Sequence, residues 1–92
     1  MKILMPGALR SYTGSAEVEA KGDTLAAMFA DLDRRYPGLR FRVVDEQGQL
    51  RPNMRLFVNG ARVRDLAHPL RPDDFVAVVR ALSGGGPRTS LA

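Results

Sequence analysis

An α+β fold, with one main helix packed across a mixed sheet of four to five strands, is predicted by three stretches of this sequence. Phe75-Val-Ala-Val-Val79 is a run of apolar, mostly β-branched residues that suits a pleated ladder. Leu25, Met28, Phe29, Leu32 and Tyr36 recur at spacings of three and four, which places them on one stripe of a helix. Met54 to Val58 has apolar side chains at its even positions and is followed by Asn59-Gly60, a pair whose tolerance of positive φ makes a tight hairpin. A chain with strands at both ends and its helix between them is expected to set the first and last strands side by side at the centre of the sheet.

In order along the chain, Lys2 to Met5 is a short apolar strand that Pro6-Gly7 closes. Ala8 to Gly14 reads as a loop. Ala16-Glu-Val-Glu-Ala20 alternates with period two and forms a second strand, a hairpin partner of the first, with one wet face. Asp23 or Thr24 caps the helix by accepting free N–H groups of its first turn. Arg34 and Arg35 complement the dipole of its last turn, Asp31, Asp33 and Arg34 face water, and Pro37-Gly38 ends it. Phe41 to Val44 is either a short strand or irregular packing, and Asp45 to Gly48 is a turn. Ala61 to Val63 is the return strand of the hairpin. Alternation turns Phe57 away from Leu56 and Val58, making it a candidate exposed aromatic. His68 to Asp74 leads as a loop into the last strand, where Val76 and Val78 share one face and Phe75, Ala77 and Val79 the other.

Ninety-two residues make one domain with one modest core. The chain holds no cysteine, which excludes disulfides and thiolate chemistry. No apolar run approaches the length of a membrane span or of a signal-peptide core, so a cytoplasmic protein without a membrane partner is expected. The net charge of +4 comes almost wholly from arginine, but the arginines are dispersed and lack interleaved aromatic residues, which argues against nucleic-acid binding. His68, the one histidine, precedes a proline and reads as a surface imidazole. No serine or threonine has the glycine elbow or partner histidine that would activate it, no glycine loop for phosphate precedes the helix, and no metal or cofactor site is legible. The chain reads as something other than a self-sufficient catalyst.

Its end carries the strongest functional signal. The last strand passes into Ala81-Leu-Ser-Gly-Gly-Gly86, and glycines without Cβ can enter a channel too narrow for any other residue. Residues 1–82 are expected to form the folded domain and 83–92 a flexible glycine-rich tail.

Gly22-Asp-Thr-Leu25, Tyr36-Pro-Gly-Leu39, Leu50-Arg-Pro52, Phe57-Val-Asn-Gly60 with Arg64, Pro69-Leu70, and Asp74-Phe-Val with Ala81-Leu-Ser-Gly-Gly85 resemble, in order and spacing, the MoaD/ThiS sulfur carriers. The resemblance covers nearly the whole chain up to Gly85 and implies the ubiquitin-like β-grasp fold. It also implies that Gly84 and Gly85 are the diglycine, with the Gly85 carboxylate as the reacting group. In the family, an ATP-using adenylating enzyme of the ubiquitin-activating type turns that carboxylate into an acyl-adenylate. A sulfur nucleophile then displaces AMP, and the terminal thiocarboxylate donates its sulfur to a biosynthetic synthase. The carrier binds no cofactor of its own, and ATP is used by its partner.

Extended, Ser83 to Gly85 reach about 10 Å, enough to enter a partner's active site while the globule docks outside. Docking is assigned to Phe57, Ala77, Val79, Arg80, Leu82, Ser83 and Gly84, and the carrier is expected to be a monomer on its own.

This sequence departs from the family pattern in continuing past the diglycine, so residues 86–92 must be removed before Gly85 has a free carboxylate; a JAMM-type metallopeptidase suits that step. Arg80 stands where relatives commonly have proline, and Pro72 where they have glycine or aspartate. The alternatives are a ubiquitin-like protein modifier joined through Gly85 and a plain β-grasp interaction module with an inert tail.

Overall fold

The computed structural model describes residues 1–81. Strand β1 (Lys2–Leu4) is followed by a 3₁₀ turn (Gly7–Leu9), a one-turn helix α1 (Arg10–Thr13) and strand β2 (Glu17–Glu19). Helix α2 (Leu25–Arg35) and the short helix α3 (Leu39–Val43) precede the hairpin β3 (Met54–Val58) and β4 (Ala61–Val63), and β5 (Phe75–Arg80) completes the sheet. The five strands lie in the order β2-β1-β5-β3-β4. Strand β5 is central, parallel to β1 and antiparallel to β3, as expected for a mixed sheet built around the two ends of the chain.

Two stretches differ from the sequence-based expectation. Ala8 to Gly14 is largely helical, and it closes on Gly14 at φ 71, whose N–H bonds to Arg10 O at 2.7 Å. Leu9 is buried there, so this connection belongs to the core layer and the helical turn satisfies its backbone. Phe41 to Val44 is no strand: Leu39 and Val43, four residues apart, bury one face of α3, and Phe41 points out at 54% exposure. Alternation is not distinctive over four residues, and the i,i+4 pair of Leu39 and Val43 begins two residues before Phe41.

Helix α2 forms as its pattern requires. Thr24 is its N-cap and its hydroxyl accepts from Ala27 N at 3.1 Å. Leu25, Met28, Phe29 and Leu32 are fully buried, and Tyr36 is half-buried at the C-cap. They pack in one cluster with Ile3, Leu56, Val76 and Val78 from the inner face of the sheet. Asp33 does more than face water: its carboxylate accepts from Gly38 N and Arg40 N at 3.1 and 3.2 Å and so joins α2 to α3. His68 is half-buried, and its carbonyl accepts from Leu25 N at 3.2 Å.

Asp31 holds the other flank of α2. It accepts from Lys21 N at 2.9 Å and pairs with Arg34 and Arg35, and the backbone bond, then Arg34, draw its pKa from 3.8 down to about 2. A carboxylate whose folded pKa is depressed stabilises the fold above its unfolded value, and that contribution fades as pH falls from 3.8 through about 2. Both arginines are well exposed, so solvent holds the effect to about 1 kcal/mol or less. Asp31→Asn is therefore expected to show a shallower loss of stability than the wild type between pH 4 and 2 in urea titrations. Parallel curves for the two proteins would contradict this.

The hairpin turn is also a clasp. Asn59 (φ 51) and Gly60 (φ 86) adopt the positive φ that the sequence predicts. The Asn59 side chain accepts from Phe75 N and donates to Asp74, both at 2.9 Å, while Asn59 N donates to Phe75 O at 2.8 Å. Asn59→Gly keeps the turn but loses the side-chain bonds, and is expected to cost about 1–2 kcal/mol. Asn59→Ala adds left-handed strain of about 1 kcal/mol, so thermal melts should rank wild type above glycine above alanine.

Candidate functional site

The sheet has one face under the helices and one open face, and alternation along β5 decides which side chains lie on each. Val76 and Val78 are buried, whereas Phe75 and Val79 are 37% and 39% exposed and Ala77 is half-buried. Phe57 is half-buried rather than fully exposed, because Ala77 lies directly opposite it across the β3–β5 ladder and Arg62 across the β3–β4 ladder. A small residue facing an aromatic one lets the ring lie along the sheet.

The registers assemble a single row across all five strands: Glu17, Leu4, Ala77, Phe57 and Arg62. Its middle is apolar, its β2 end acidic and its β4 end basic. Val79 lies beside the row opposite Arg55, and Arg80 is opposite Met54. Thus Phe57, Ala77 and Val79 are brought onto one surface with Arg80 at its edge. Leu82, Ser83, Gly84 and Gly85 lie outside the described residues.

The last described residue is held. Ala81 N donates to Asn53 O at 2.8 Å, so the ladder extends one bond past Arg80. Next to the end of β5 is a hollow lined by Leu9, Phe41, Arg42, Arg51, Asn53 and Arg80. Arg51 lies over the Phe41 ring, 4.5 Å from its centroid, and its Nε donates to Phe41 O at 2.7 Å. Such a pair presents a cation on an aromatic face that is largely open to water.

Sequence reasoning missed Phe41, since a side chain projecting from α3 is invisible until α3 is recognised. Phe75, which the sequence does not single out for docking, has the same parity as Ala77 and Val79 and shares the open face with them.

Among the described residues, no group of three histidine, cysteine, aspartate or glutamate side chains could hold a metal ion, and no helix is long and apolar enough to cross a membrane. The described surface offers an apolar strip that can exclude water, with charged ends that can set orientation.

A mixed five-stranded sheet grasping one main helix, with its central last strand running out to a glycine tail, defines the ubiquitin-like β-grasp class. Comparison with known proteins narrows this. The ThiS family model matches residues 3–85, and the chain belongs to that family. It is 35% identical over 89 residues to the sulfur carrier protein CysO of Mycobacterium tuberculosis, covering 90% of this chain and 96% of the relative. The fold is similar to that in the crystal structure of the BexX/CysO complex of Amycolatopsis orientalis, with a TM-score of 0.84 at 31% identity over 91% of this chain and 98% of the other. The crystal structure of CysO from Mycobacterium tuberculosis is similar at a TM-score of 0.83 and 33% identity, over 88% and 98% of the two chains.

Proposed function

We propose that this protein is a sulfur carrier, a co-substrate rather than an enzyme, whose Gly85 carboxylate is converted to a thiocarboxylate that donates sulfur to a biosynthetic synthase. The observation that carries this reading is the extent of the family match, which ends at Gly85 and leaves Gly86 to Ala92 outside it. A carboxylate is a poor acyl donor because oxide is a poor leaving group. Adenylation by an ATP-using enzyme of the ubiquitin-activating type replaces oxide with AMP, which a sulfur nucleophile can displace. As encoded, Gly85 is bound to Gly86 through a peptide bond, so activation requires cleavage after Gly85. A JAMM-type metallopeptidase suits that step.

The open sheet face gives the globule a surface on which such partners can seat while the tail reaches their active sites. The CysO relative solved in complex with BexX supports docking of a partner by a protein of this fold. Leu82, Ser83 and Gly84 would follow the chain into the partner's channel. Arg80, exposed at the exit, suits an acidic rim on the adenylating enzyme.

The test compares the full-length chain with a chain ending at Gly85. Each is incubated with a cognate adenylating enzyme, ATP and a sulfur source, and its intact mass is measured. The shortened chain should gain the mass difference of one oxygen-to-sulfur exchange, and the full-length chain should not. An unchanged mass for the shortened chain would overturn the reading. Ladders of heavier lysine adducts in its place would make the protein a modifier.

A further inference from the structure

The β4 edge of the sheet continues from the basic end of the row, and Arg62 belongs to both. A groove there runs between the N-terminal end of α2, the segment Gly48 to Pro52, the start of β3, and Arg62 to Ala67. Arg51, Arg55, Arg62 and Arg64 line it, over a base that includes the buried side chains of Met54 and Leu66. We propose that this groove binds an extended acidic segment of a partner protein, one with carboxylates spaced along the strand and an apolar side chain between them.

Charge is the first support. Among the described residues, the ion pairs engage the N-terminus, Arg34 and Arg35, and none of the four groove arginines has a carboxylate within ion-pair distance. Asp65 is the one acidic residue lining the groove, and its carboxylate accepts from Ala67 N at 2.9 Å. The arginines also work against one another. The Arg62 pKa is lowered by partial desolvation and then by the nearby cations of Arg64 and Arg55. An anion seated among them relieves that repulsion, and solvent water does so less well.

Preorganisation is the second support. Arg55 Nη1 donates to Pro52 O at 2.6 Å and to Met54 O at 3.0 Å, and Arg51 is fixed on Phe41 O, so two of the four guanidiniums are already oriented by backbone carbonyls. Less side-chain freedom is then lost on binding.

The choice of a peptide follows from the walls. Among the described residues, strand β4 is the last in the sheet order, with β3 as its one neighbour, so its outer edge offers backbone groups to an added strand. Among the described residues no aromatic ring lines the groove, so unstacked bases would find no platform there. The apolar base suits a leucine-sized side chain, which a polyphosphate or nucleic-acid backbone lacks.

The inference stands apart from the sulfur-carrier reading, because neither Gly85 nor its activation enters the test. The ¹⁵N-labelled full-length chain is titrated with a synthetic peptide of alternating glutamate and leucine, followed by amide shifts. Saturable shifts are expected at Arg51, Arg62, Arg64 and Leu66, weakening as salt is raised from about 50 to about 200 mM. Arg62→Glu with Arg64→Glu should weaken binding at least about tenfold. Arg62→Gln with Arg64→Gln should weaken it less, and is the variant to use if charge reversal disturbs the spectrum. Arg34→Glu, at the far end of α2, should leave it unchanged.

Absence of saturable shifts in the groove would overturn the proposal, as would shifts indifferent to both double variants. Tighter binding of a single-stranded oligonucleotide on the same amides would overturn it in favour of a nucleic-acid surface.

Discussion

Gly22→Ala is expected to destabilise the fold by about 2–4 kcal/mol, although it adds a single methyl group. Gly22 has φ 150, and a Cβ on it would lie 2.5 Å from Met28 N, 2.8 Å from the Ala27 carbonyl carbon and 2.9 Å from Met28 Cα. All three are backbone atoms inside α2, so no side chain can rotate out of the way. Either the helix moves off the chain leading into it, or the Gly22 backbone leaves its conformation. Both disturb the neighbouring contacts, where Lys21 N bonds to Asp31 and Leu70 N to Asp23 O at 2.9 Å. Gly7→Ala is the matched control: nothing lies within 4 Å of a Cβ there, and its cost should stay within about 0.5 kcal/mol. Equal urea midpoints for the two variants would show that the close approach at Gly22 carries no energetic weight.

Phe29→Ala should be costlier still, at about 3–5 kcal/mol. Phe29 is fully buried in the cluster that also holds Val76 and Val78, the inward side chains of β5. A domain of this length has a total stability of about 5–14 kcal/mol, so this one truncation removes a large share of it. The effect should also reach the end of β5. Strand β5 carries Phe75, Ala77 and Val79 on the open face, and its register rests on the inner layer that Phe29 fills. In amide exchange, the variant should lose protection at Val76, Val78 and Ala81 together, by a factor matching its global destabilisation. Protection at Ala81 that persists while Val76 opens would show that the end of β5 is anchored independently through Asn53.

Much of the candidate site was legible before any coordinates. The parity of Phe75, Ala77 and Val79 against Val76 and Val78 is a property of any extended strand, so the open face of β5 follows from alternation alone. The placement of Phe57 opposite Ala77 does not, because it depends on the register between strands separated by the β4 return and the loop that carries His68. Likewise, Asn59-Gly60 announces a hairpin, yet the clasp from Asn59 to Asp74 and Phe75 requires the third strand to be in place. Phe41 and the arginine groove were hidden for a further reason: Arg51, Arg55, Arg62 and Arg64 are dispersed along the chain, and pairing of β3 with β4 gathers them.

By itself the sequence determined the elements whose signal is local: the capped helix with its stripe, the Asn-Gly turn, the β-branched last strand and the glycine tail beyond it. Its linear motifs also carry the family resemblance, which makes Gly85 the expected reacting position. Only the tertiary structure decided which charges meet, how Gly22 presses on a helix backbone, and that α3 turns Phe41 outward. Those features depend on distances between residues far apart in the chain, and such distances exist only once the sheet has closed around its central strand.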